Sequence, residues 1–441
     1  MDVCLVLTHR CNLACGYCYA GEHHGRQMED TVLDRAVDLL FSDGAEVAQL
    51  SFFGGEPFLR FAAMTRAVER ARRRADERGA ELLLQCTTNG TLLDGVRVRF
   101  AVAHGMRVTL SIDGVREAHD LHRPRAGGAS SFGACHRGLH LLLDGGARTD
   151  AAMVISPQTV PFVSRSVSWL WSEGIEVVRT SLVLDATWEL QDRNELREQL
   201  WAVAAEMVAR RRSGEAAELE ALADRRPTRA SRPRPQVVVA TDGDLYPCAP
   251  MVGEDRAAGP EAGLRIGHLS DGPERIAESV ASRGAGCARG VACACAAYLE
   301  TASRTDPGPI GVWYGHLCAR IRAAIADQLR EVAAPRGGRR RPFLIGLAAA
   351  VGGAAIAGSA LLRAGLGDDP PRAAIPPRPA RLEPPPEAAD DRSAEAERER
   401  KPEELERLRE ERRRRRPDRV RIQGRLHDPL VGAEDPLDDL D

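Results

Sequence analysis

Three cysteines lie in one short segment near the N-terminus, CNLACGYC, at Cys11, Cys15 and Cys18. Thiols at such spacings are typical of metal ligands, of an iron–sulfur cluster or of a redox pair. The total of eleven cysteines is odd, and no charged segment followed by an apolar one precedes Cys4. We therefore expect neither a secretory signal nor a disulfide scaffold, which leaves metal or thiol chemistry.

The cysteine spacing leaves three kinds of site open. Three thiolates can hold three irons of a 4Fe–4S cluster, which normally takes four cysteines, so that one iron stays open. A zinc site would need a fourth ligand, which His23 or His24 can supply. A thioredoxin-like redox loop needs only Cys15 and Cys18, and Cys11 is then superfluous.

The sequence around these cysteines alternates between short apolar runs, which predict strands, and longer segments, which predict helices. Between the apolar runs lie segments of helical periodicity, such as 29–41, whose apolar residues Val32, Leu33, Ala36, Val37 and Leu40 share one side. Six β-α units with crossover helices require a parallel sheet, which suits a barrel, part of a barrel or an open sheet. The predicted strands are 3–7, 47–53, 81–87, 106–112, 151–156 and 176–182.

Unusual motifs follow four of these strands, and in a parallel β/α barrel the carboxyl ends of the strands converge on one face. Gly54 and Gly55 permit close backbone approach or positive φ, and Glu56 offers a carboxylate to an ammonium group. Asn89 and Asp113 follow or end later strands, where each can also simply stabilise a turn. The pattern predicts one site built from motifs that are far apart in the sequence.

These motifs resemble those of radical S-adenosylmethionine (SAM) enzymes. CNLACGYC is similar to their CxxxCxxC signature, including Tyr17, and FFGGEP is similar to their motif for an amino group. The resemblance covers about residues 1–183 and implies a partial (β/α)6 TIM-like barrel. It implies that Cys11, Cys15 and Cys18 ligate a 4Fe–4S cluster and that Tyr17, Gly54, Gly55 and Glu56 hold the methionine part of SAM.

The stretch SIDGVREAHDLHR resembles a region of the subgroup that contains anaerobic sulfatase maturases and peptide-modifying enzymes. The resemblance implies that Ser111 and Arg123 contact SAM, with Asp113 in the same pocket wall and Asn89 as a further cofactor-binding residue. It also implies the reaction. A cellular reductant supplies one electron to the cluster, and SAM is then cleaved to methionine and a 5'-deoxyadenosyl radical. This radical abstracts hydrogen from a peptide or protein.

The chain beyond residue 183 is expected to contain a second cysteine-rich region. Residues 184–235 are a helical segment with an Arg/Pro-rich connector, and residues 236–333 begin with QVVVATDGDLYPC, which is similar to the start of the SPASM extension that carries auxiliary clusters. The five cysteines here depart from the full SPASM pattern but suffice for one auxiliary cluster, the alternative being a zinc-stabilised or decayed extension. They are Cys248, Cys287, Cys293, Cys295 and Cys318.

The three remaining cysteines are expected to pack in the core rather than to bind a metal. Cys4, Cys86 and Cys135 lie in or beside predicted core elements and are expected to be small buried hydrophobes.

Residues 342–362 carry no charge and follow several arginines, which predicts one transmembrane helix with the catalytic domain facing the cytoplasm. Residues 366–441 form a Pro-rich, densely charged tail that is expected to be disordered.

Two rival functions remain open at this point. The first is formylglycine formation as an anaerobic sulfatase-maturating enzyme, although no catalytic carboxylate for that reaction can be placed. The second is a membrane-tethered, non-catalytic iron–sulfur or zinc interaction module. A net charge of -3 gives no argument for a nucleic-acid partner.

Overall fold

The computed structural model describes residues 2–18, 23–184, 186–223, 236–247, 249, 252, 265–284 and 308–333. Within these ranges, ten strands form one sheet with helices packed against it. The strands are β1 Asp2–Val6, β2 Val47–Phe53, β3 Glu81–Thr88, β4 Arg107–Ser111, β5 Arg148–Ile155, β6 Val177–Leu182, β7 Glu218–Leu219, β8 Gln236–Val239, β9 Asp244–Tyr246 and β10 Gly267–His268. The helices are α1 Asp30–Leu39, α2 Phe61–Arg78, α3 Gly95–Ala103, α4 Arg116–His122, α5 Phe132–Asp144, α6 Val163–Ser172, α7 Leu190–Arg212, α8 Pro273–Gly284 and α9 Gly308–Ala333.

The six strands β1 to β6 are neighbours in chain order, and every neighbouring pair is parallel. A segment containing at least one helix joins each strand to the next, as parallel neighbours require. All six predicted strands are confirmed to within a few residues, and the sequential order agrees with a singly wound β/α sheet. The motifs that follow β1 to β4 therefore lie along one edge of the sheet.

The start of the cysteine-rich region extends the same sheet. Strand β8 pairs in parallel with β1, and β9 and β10 continue from it in antiparallel fashion, so the sheet is mixed. The stretch QVVVATDGDLYP forms strand β8, an Asp-Gly turn and strand β9, with Gly243 at φ 98 in the turn. β8 thus packs directly beside the strand that leads into CNLACGYC.

Helices α1 and α2 show how the pattern of apolar residues fixes one layer of the core. The predicted inner face of α1 is confirmed, since Leu33, Ala36, Val37 and Leu40 are fully buried and Val32 is half-buried. The α2 residues Ala63, Met64, Ala67, Val68, Ala71 and Ala75 are buried at helical spacing, and the helix ends at Gly79 in the left-handed conformation.

Helix α9 begins at Gly308, in a segment whose residues do not favour helix. Glycines and a proline obscure its first turns in the sequence, but proline is tolerated in the first turn of a helix because its missing N–H has no partner there. Ile310, Trp313, Leu317 and Ile321 are buried in the same core as β4 to β6 and α5 to α7. The Tyr314 hydroxyl lies 3.0 Å from Thr180 Oγ1, which ties α9 to β6.

The predicted transmembrane helix at 342–362 lies outside the described residues. The predicted disordered tail at 366–441 also lies outside them. None of the helices in the described ranges combines enough length with enough apolar character to cross a membrane.

Candidate active site

The cysteine segment follows β1 and is held in place by the segment between α4 and α5. The amide of Ala14 donates to the Pro124 carbonyl at 2.9 Å, and the amide of Gly16 donates to the His122 carbonyl at 2.8 Å. Cys11, Cys15 and Cys18 form no disulfide within the described residues, and each is partly exposed. The backbone therefore presents three thiols on one anchored loop at the sheet edge.

The Gly54-Gly55 pair lies directly against the backbone that precedes Cys11. Gly54 has φ 119, and a Cβ added there would lie 2.6 Å from the Thr8 carbonyl oxygen. A Cβ at Gly55 would lie 2.1 Å from the Arg10 carbonyl oxygen. The Gly55 amide donates to Thr8 and the Glu56 amide to Arg10, each at 2.9 Å. The prediction that these glycines permit close backbone approach or positive φ is confirmed, with positive φ at Gly54, and the backbone they approach leads directly into the cysteine loop.

Substitution of Gly55→Ala is expected to displace the cysteine loop, because the added methyl group would overlap backbone that has no room to move. We expect a loss of about 1–3 kcal/mol in the free energy of unfolding and a lower iron content after anaerobic reconstitution. Gly25→Ala is the matched control, since no atom lies within 4 Å of its added Cβ. Equal iron contents and equal unfolding midpoints for the two variants would show that the close approach is unimportant.

The Glu56 side chain is fully buried and faces the protein rather than an open pocket. Its Oε1 accepts from the Phe58 amide at 3.1 Å and from Thr88 Oγ1 at 2.8 Å, and its Oε2 accepts from the Asn89 amide at 2.8 Å. Burial raises the pKa of this carboxyl group, an effect that the three donors oppose. Glu56 therefore joins the loop after β2 to the end of β3, and its contact with SAM stays a prediction.

Asn89 connects the end of β3 to the cysteine loop. Its Nδ2 donates to Asn12 Oδ1 at 2.9 Å and lies 3.7 Å from Cys11 Sγ, while Asn12 Nδ2 donates to Thr91 Oγ1 at 2.7 Å. The Leu13 amide also points at Cys11 Sγ, at 3.4 Å. Donors aimed at this sulfur stabilise a thiolate, so Asn89 serves the cysteine loop as well as its own turn.

Tyr17, half-buried on the loop, contacts the buried pair of Asp113 and Arg123 behind the loop. Arg123 Nε and Nη2 donate to the two oxygens of Asp113 at 2.9 and 3.0 Å, and the Val154 amide donates to Asp113 Oδ1 at 2.9 Å. The Tyr17 hydroxyl donates to Asp113 Oδ2, and the Arg123 guanidinium lies 5.2 Å from the centre of the Tyr17 ring. A buried ion pair with these additional donors fixes the orientation of Tyr17.

Burial of the loop favours the protonated form of Cys11 and Cys15. Burial raises the pKa of Cys11 to about 12 and raises that of Cys15, where Arg123 acts in the opposite direction. Burial also lowers the pKa of His119 to about 4, so this histidine is neutral beside the Asp113 amide. Metal binding at the cysteines is therefore expected to release protons.

The zinc alternative requires several ligand atoms close together at the cysteine loop. His23 Nε2 lies 3.4 Å from Cys18 Sγ, so one predicted fourth ligand is adjacent to the loop. Within the described part of the chain, however, the one set of three potential ligand atoms that lie within 4.8 Å of one another is elsewhere, at His136, His140 and Glu173. The cysteine loop does not have the close ligand set of a preformed zinc site.

Comparison with known proteins supports the interpretation of these motifs. Residues 5–160 match the family described as the radical SAM superfamily. Residues 5–160 are a radical SAM domain. The family implies a 4Fe–4S cluster and SAM. Three cysteines on one partly exposed loop, with donors aimed at Cys11 Sγ, are a ligand set that fits such a cluster.

Relatives of this radical SAM domain include two anaerobic sulfatase-maturating enzymes. The serine-type enzyme of Klebsiella aerogenes is 31% identical over 137 residues, which cover 30% of this chain and 34% of that protein. The cysteine-type enzyme of Clostridium perfringens (strain 13 / Type A) is 24% identical over 186 residues, which cover 41% and 50%. The chain thus spans between a third and a half of the length of these curated relatives.

The fold around the radical SAM domain also resembles a solved structure. The structure of native anSMEcpe with bound AdoMet superposes with a TM-score of 0.53 at 20% sequence identity, and it covers 63% of this chain and 80% of that chain. At this level of identity the likeness concerns the fold, including the mixed sheet described above.

The structure brings together most of the site residues predicted from sequence. The loop with Cys11, Cys15, Cys18 and Tyr17 contacts Asn89 and the Asp113–Arg123 pair through the bonds given above. The glycine pair contacts the backbone that leads into this loop. Ser111 ends β4, and its carbonyl faces the Cys135 thiol at 3.7 Å. Sequence reasoning missed Asn12 and Thr91; the position of Asn12 directly after Cys11 was the available signal.

The cysteines outside the loop have different outcomes. Cys4, Cys86 and Cys135 are confirmed as small buried side chains, with exposed fractions of 4%, 0% and 0%. Cys318 is buried in the core around α9, where burial raises its pKa to about 11. Its role as an auxiliary-cluster ligand stays a prediction, and Cys248, Cys287, Cys293 and Cys295 lie outside the described residues.

Proposed function

We propose that this chain is a radical SAM enzyme that modifies a peptide or protein. The observation that carries the proposal is the loop of three thiols, which backbone hydrogen bonds hold to the Pro124 and His122 carbonyls and whose approach at Thr8 and Arg10 is bonded to the Gly55 and Glu56 amides. Cys11, Cys15 and Cys18 would hold the cluster, whose fourth iron has no thiolate from this loop. When bound and reduced, the cluster supplies one electron that cleaves SAM to methionine and a 5'-deoxyadenosyl radical, which abstracts hydrogen from the substrate.

The residues of this chain would bind and orient SAM. The Gly54-Gly55 backbone can approach a bound ligand closely because it lacks side chains, and Tyr17 is fixed by Asp113 and Arg123. Ser111 and Arg123 lie on the neighbouring β4 edge and the segment after α4. Burial of the Asp113–Arg123 pair excludes water from the wall behind Tyr17, which favours a fixed geometry.

A peptide substrate is supported by the relatives. Two of them are sulfatase-maturating enzymes, and a further solved structure, with a TM-score of 0.53 and 20% identity, is of native anSMEcpe with bound AdoMet and Kp18Cys peptide. The alternative proposal is that this chain itself forms formylglycine on a sulfatase. No residue of the described ranges has been assigned as the catalytic carboxylate of that reaction.

A peptide assay separates the two proposals. The reconstituted, reduced full chain is incubated with SAM and with a ribosomal peptide encoded beside its gene, a sulfatase peptide that contains the target Cys or Ser, or the same sulfatase peptide with alanine at that position. The main proposal predicts a mass change in the neighbouring peptide with formation of 5'-deoxyadenosine. An aldehyde in the sulfatase peptide, absent from its alanine control, would instead establish sulfatase maturation.

An auxiliary cluster and a membrane anchor belong to the same proposal. Cys248, Cys287, Cys293 and Cys295 are enough for one further 4Fe–4S cluster without Cys318.

The uncharged segment 342–362, preceded by arginines, supports a single-pass anchor with the catalytic domain in the cytoplasm. If a chain lacking only 342–362 still fractionates with membranes as the full chain does, the anchor is excluded.

A further inference from the structure

Two histidines and a glutamate meet on the outer helices, away from the cysteine loop. His136 and His140 are one turn apart on α5, so their side chains share a face, and Glu173 directly follows the last residue of α6. Cys135, the neighbour of His136, points the other way, towards the Ser111 carbonyl. The group is therefore distinct from the radical SAM site.

The three ligand atoms of this group are unusually close together. His136 Nε2 lies 3.0 Å from Glu173 Oε2, His140 Nε2 lies 3.1 Å from His136 Nε2, and His140 Nε2 lies 3.3 Å from Glu173 Oε2. Two neutral imidazoles can place at most two protons on these nitrogens, so hydrogen bonds cannot satisfy all three contacts well at once. A cation just outside the plane of the triangle, at equal distances from its corners, would satisfy all three atoms.

The size of the triangle fits a particular class of cation. Zinc–nitrogen bonds of about 2.0–2.1 Å at a tetrahedral angle place neighbouring ligand atoms roughly 3.3 Å apart. The three observed separations, from 3.0 to 3.3 Å, agree with this value. Calcium and magnesium prefer sets of oxygen ligands, which two imidazoles do not provide.

The surroundings of His136 restrict the position of its ring. The ring stacks on Phe132 with centroids 5.5 Å apart and lies 5.3 Å from the Trp169 ring of α6. His140 is exposed, so the fourth position of a tetrahedral ion is open to water or to another ligand. Aromatic packing on one side and solvent on the other are compatible with an ion that enters from solvent.

We propose that His136, His140 and Glu173 bind a divalent d-block cation of the zinc class. The ion would link the middle of α5 to the C-terminal end of α6. Three protein ligands with one open position are also the arrangement found in catalytic zinc sites. The proposal does not depend on the radical SAM activity, because none of its ligands belongs to the cysteine loop.

The test is a metal titration of the full chain with its cluster reconstituted, after chelator treatment and desalting. Zn²⁺ is titrated in competition with a chromophoric chelator into the wild type, the His136→Ala/His140→Ala double variant and His316→Ala, an exposed histidine on another helix. We expect the double variant to lose one tight equivalent and His316→Ala to lose none. Glu173→Gln should lower the affinity of this site for Zn²⁺. The loss should exceed the roughly 10–100-fold that follows when a metal ligand loses only its hydrogen-bond partner.

A Co²⁺ titration identifies the ligands of that equivalent. The difference spectrum, wild type minus double variant, should show a cobalt site without thiolate charge-transfer absorption, because its ligands are imidazole and carboxylate. Equal numbers of tight equivalents in the wild type, the double variant and Glu173→Gln would overturn the proposal. So would a difference spectrum with thiolate absorption. Glu173→Gln keeps the test valid if the double variant does not fold.

Discussion

Cys15→Ala is expected to lose the N-terminal cluster, with iron and acid-labile sulfide each falling by about four per chain after anaerobic reconstitution. Cys15 is one of three thiols on a loop that the Pro124 and His122 carbonyls hold in place. With two thiolates left, the loop offers too few ligands for a stable cubane. The measurement is the iron and sulfide content of the purified, reconstituted full chain.

The control for this prediction is a cysteine that is buried for packing. Cys86 on β3 is fully buried in the core, and Cys86→Ala should cost roughly 1 kcal/mol of stability through lost packing. It should keep the full iron content, because all three loop cysteines remain. If Cys15→Ala and Cys86→Ala retain the same iron as the wild type, the loop does not hold the cluster.

Arg123→Met is expected to be the most destabilising single change in the site. Arg123 and Asp113 bury their side chains almost completely, with 7% and 0% exposed. Removal of the guanidinium leaves the Asp113 charge buried with fewer partners, which typically costs about 3–5 kcal/mol. The result should appear as a much lower midpoint in denaturant unfolding and as weaker SAM binding, because Tyr17 loses its support.

Two further variants separate charge from packing at this pair. Asp113→Asn combined with Arg123→Met removes both charges and should recover part of the lost stability, since no isolated carboxylate remains. Arg66→Met breaks a half-exposed pair with Asp34 on the outer face of α2 and should change the midpoint little. Equal losses for Arg66→Met and Arg123→Met would show that the buried pair has no special role.

The local features of this fold follow closely from the sequence. Strand β2 begins and ends where alternation and turn residues predict, and the inner face of α1 contains the predicted apolar residues. The crowding at Gly54 and Gly55 is also predictable, because only glycine tolerates positive φ and such close backbone approach. These features depend on neighbours in the chain, so their signals lie within a short window.

Features that depend on distant partners are not predictable in this way. The Glu56 carboxylate accepts hydrogen bonds from Thr88 and the Asn89 amide, more than thirty residues away, whereas the sequence alone indicates only a carboxylate that can bind an ammonium group. The parallel pairing of β8 with β1 joins residues more than two hundred positions apart. His136 and His140 have helical spacing, but Glu173 reaches them only through the packing of α6 against α5.

The central claim is that the loop of Cys11, Cys15 and Cys18 supports reductive cleavage of SAM. The most direct measurement is the yield of 5'-deoxyadenosine from SAM under strong reductant without oxygen, for the reconstituted full chain and for its Cys11, Cys15 and Cys18 triple alanine variant. We predict formation of 5'-deoxyadenosine by the wild type and none above background by the triple variant. An iron-loaded wild type that forms no 5'-deoxyadenosine, or equal yields from the two proteins, would contradict the claim.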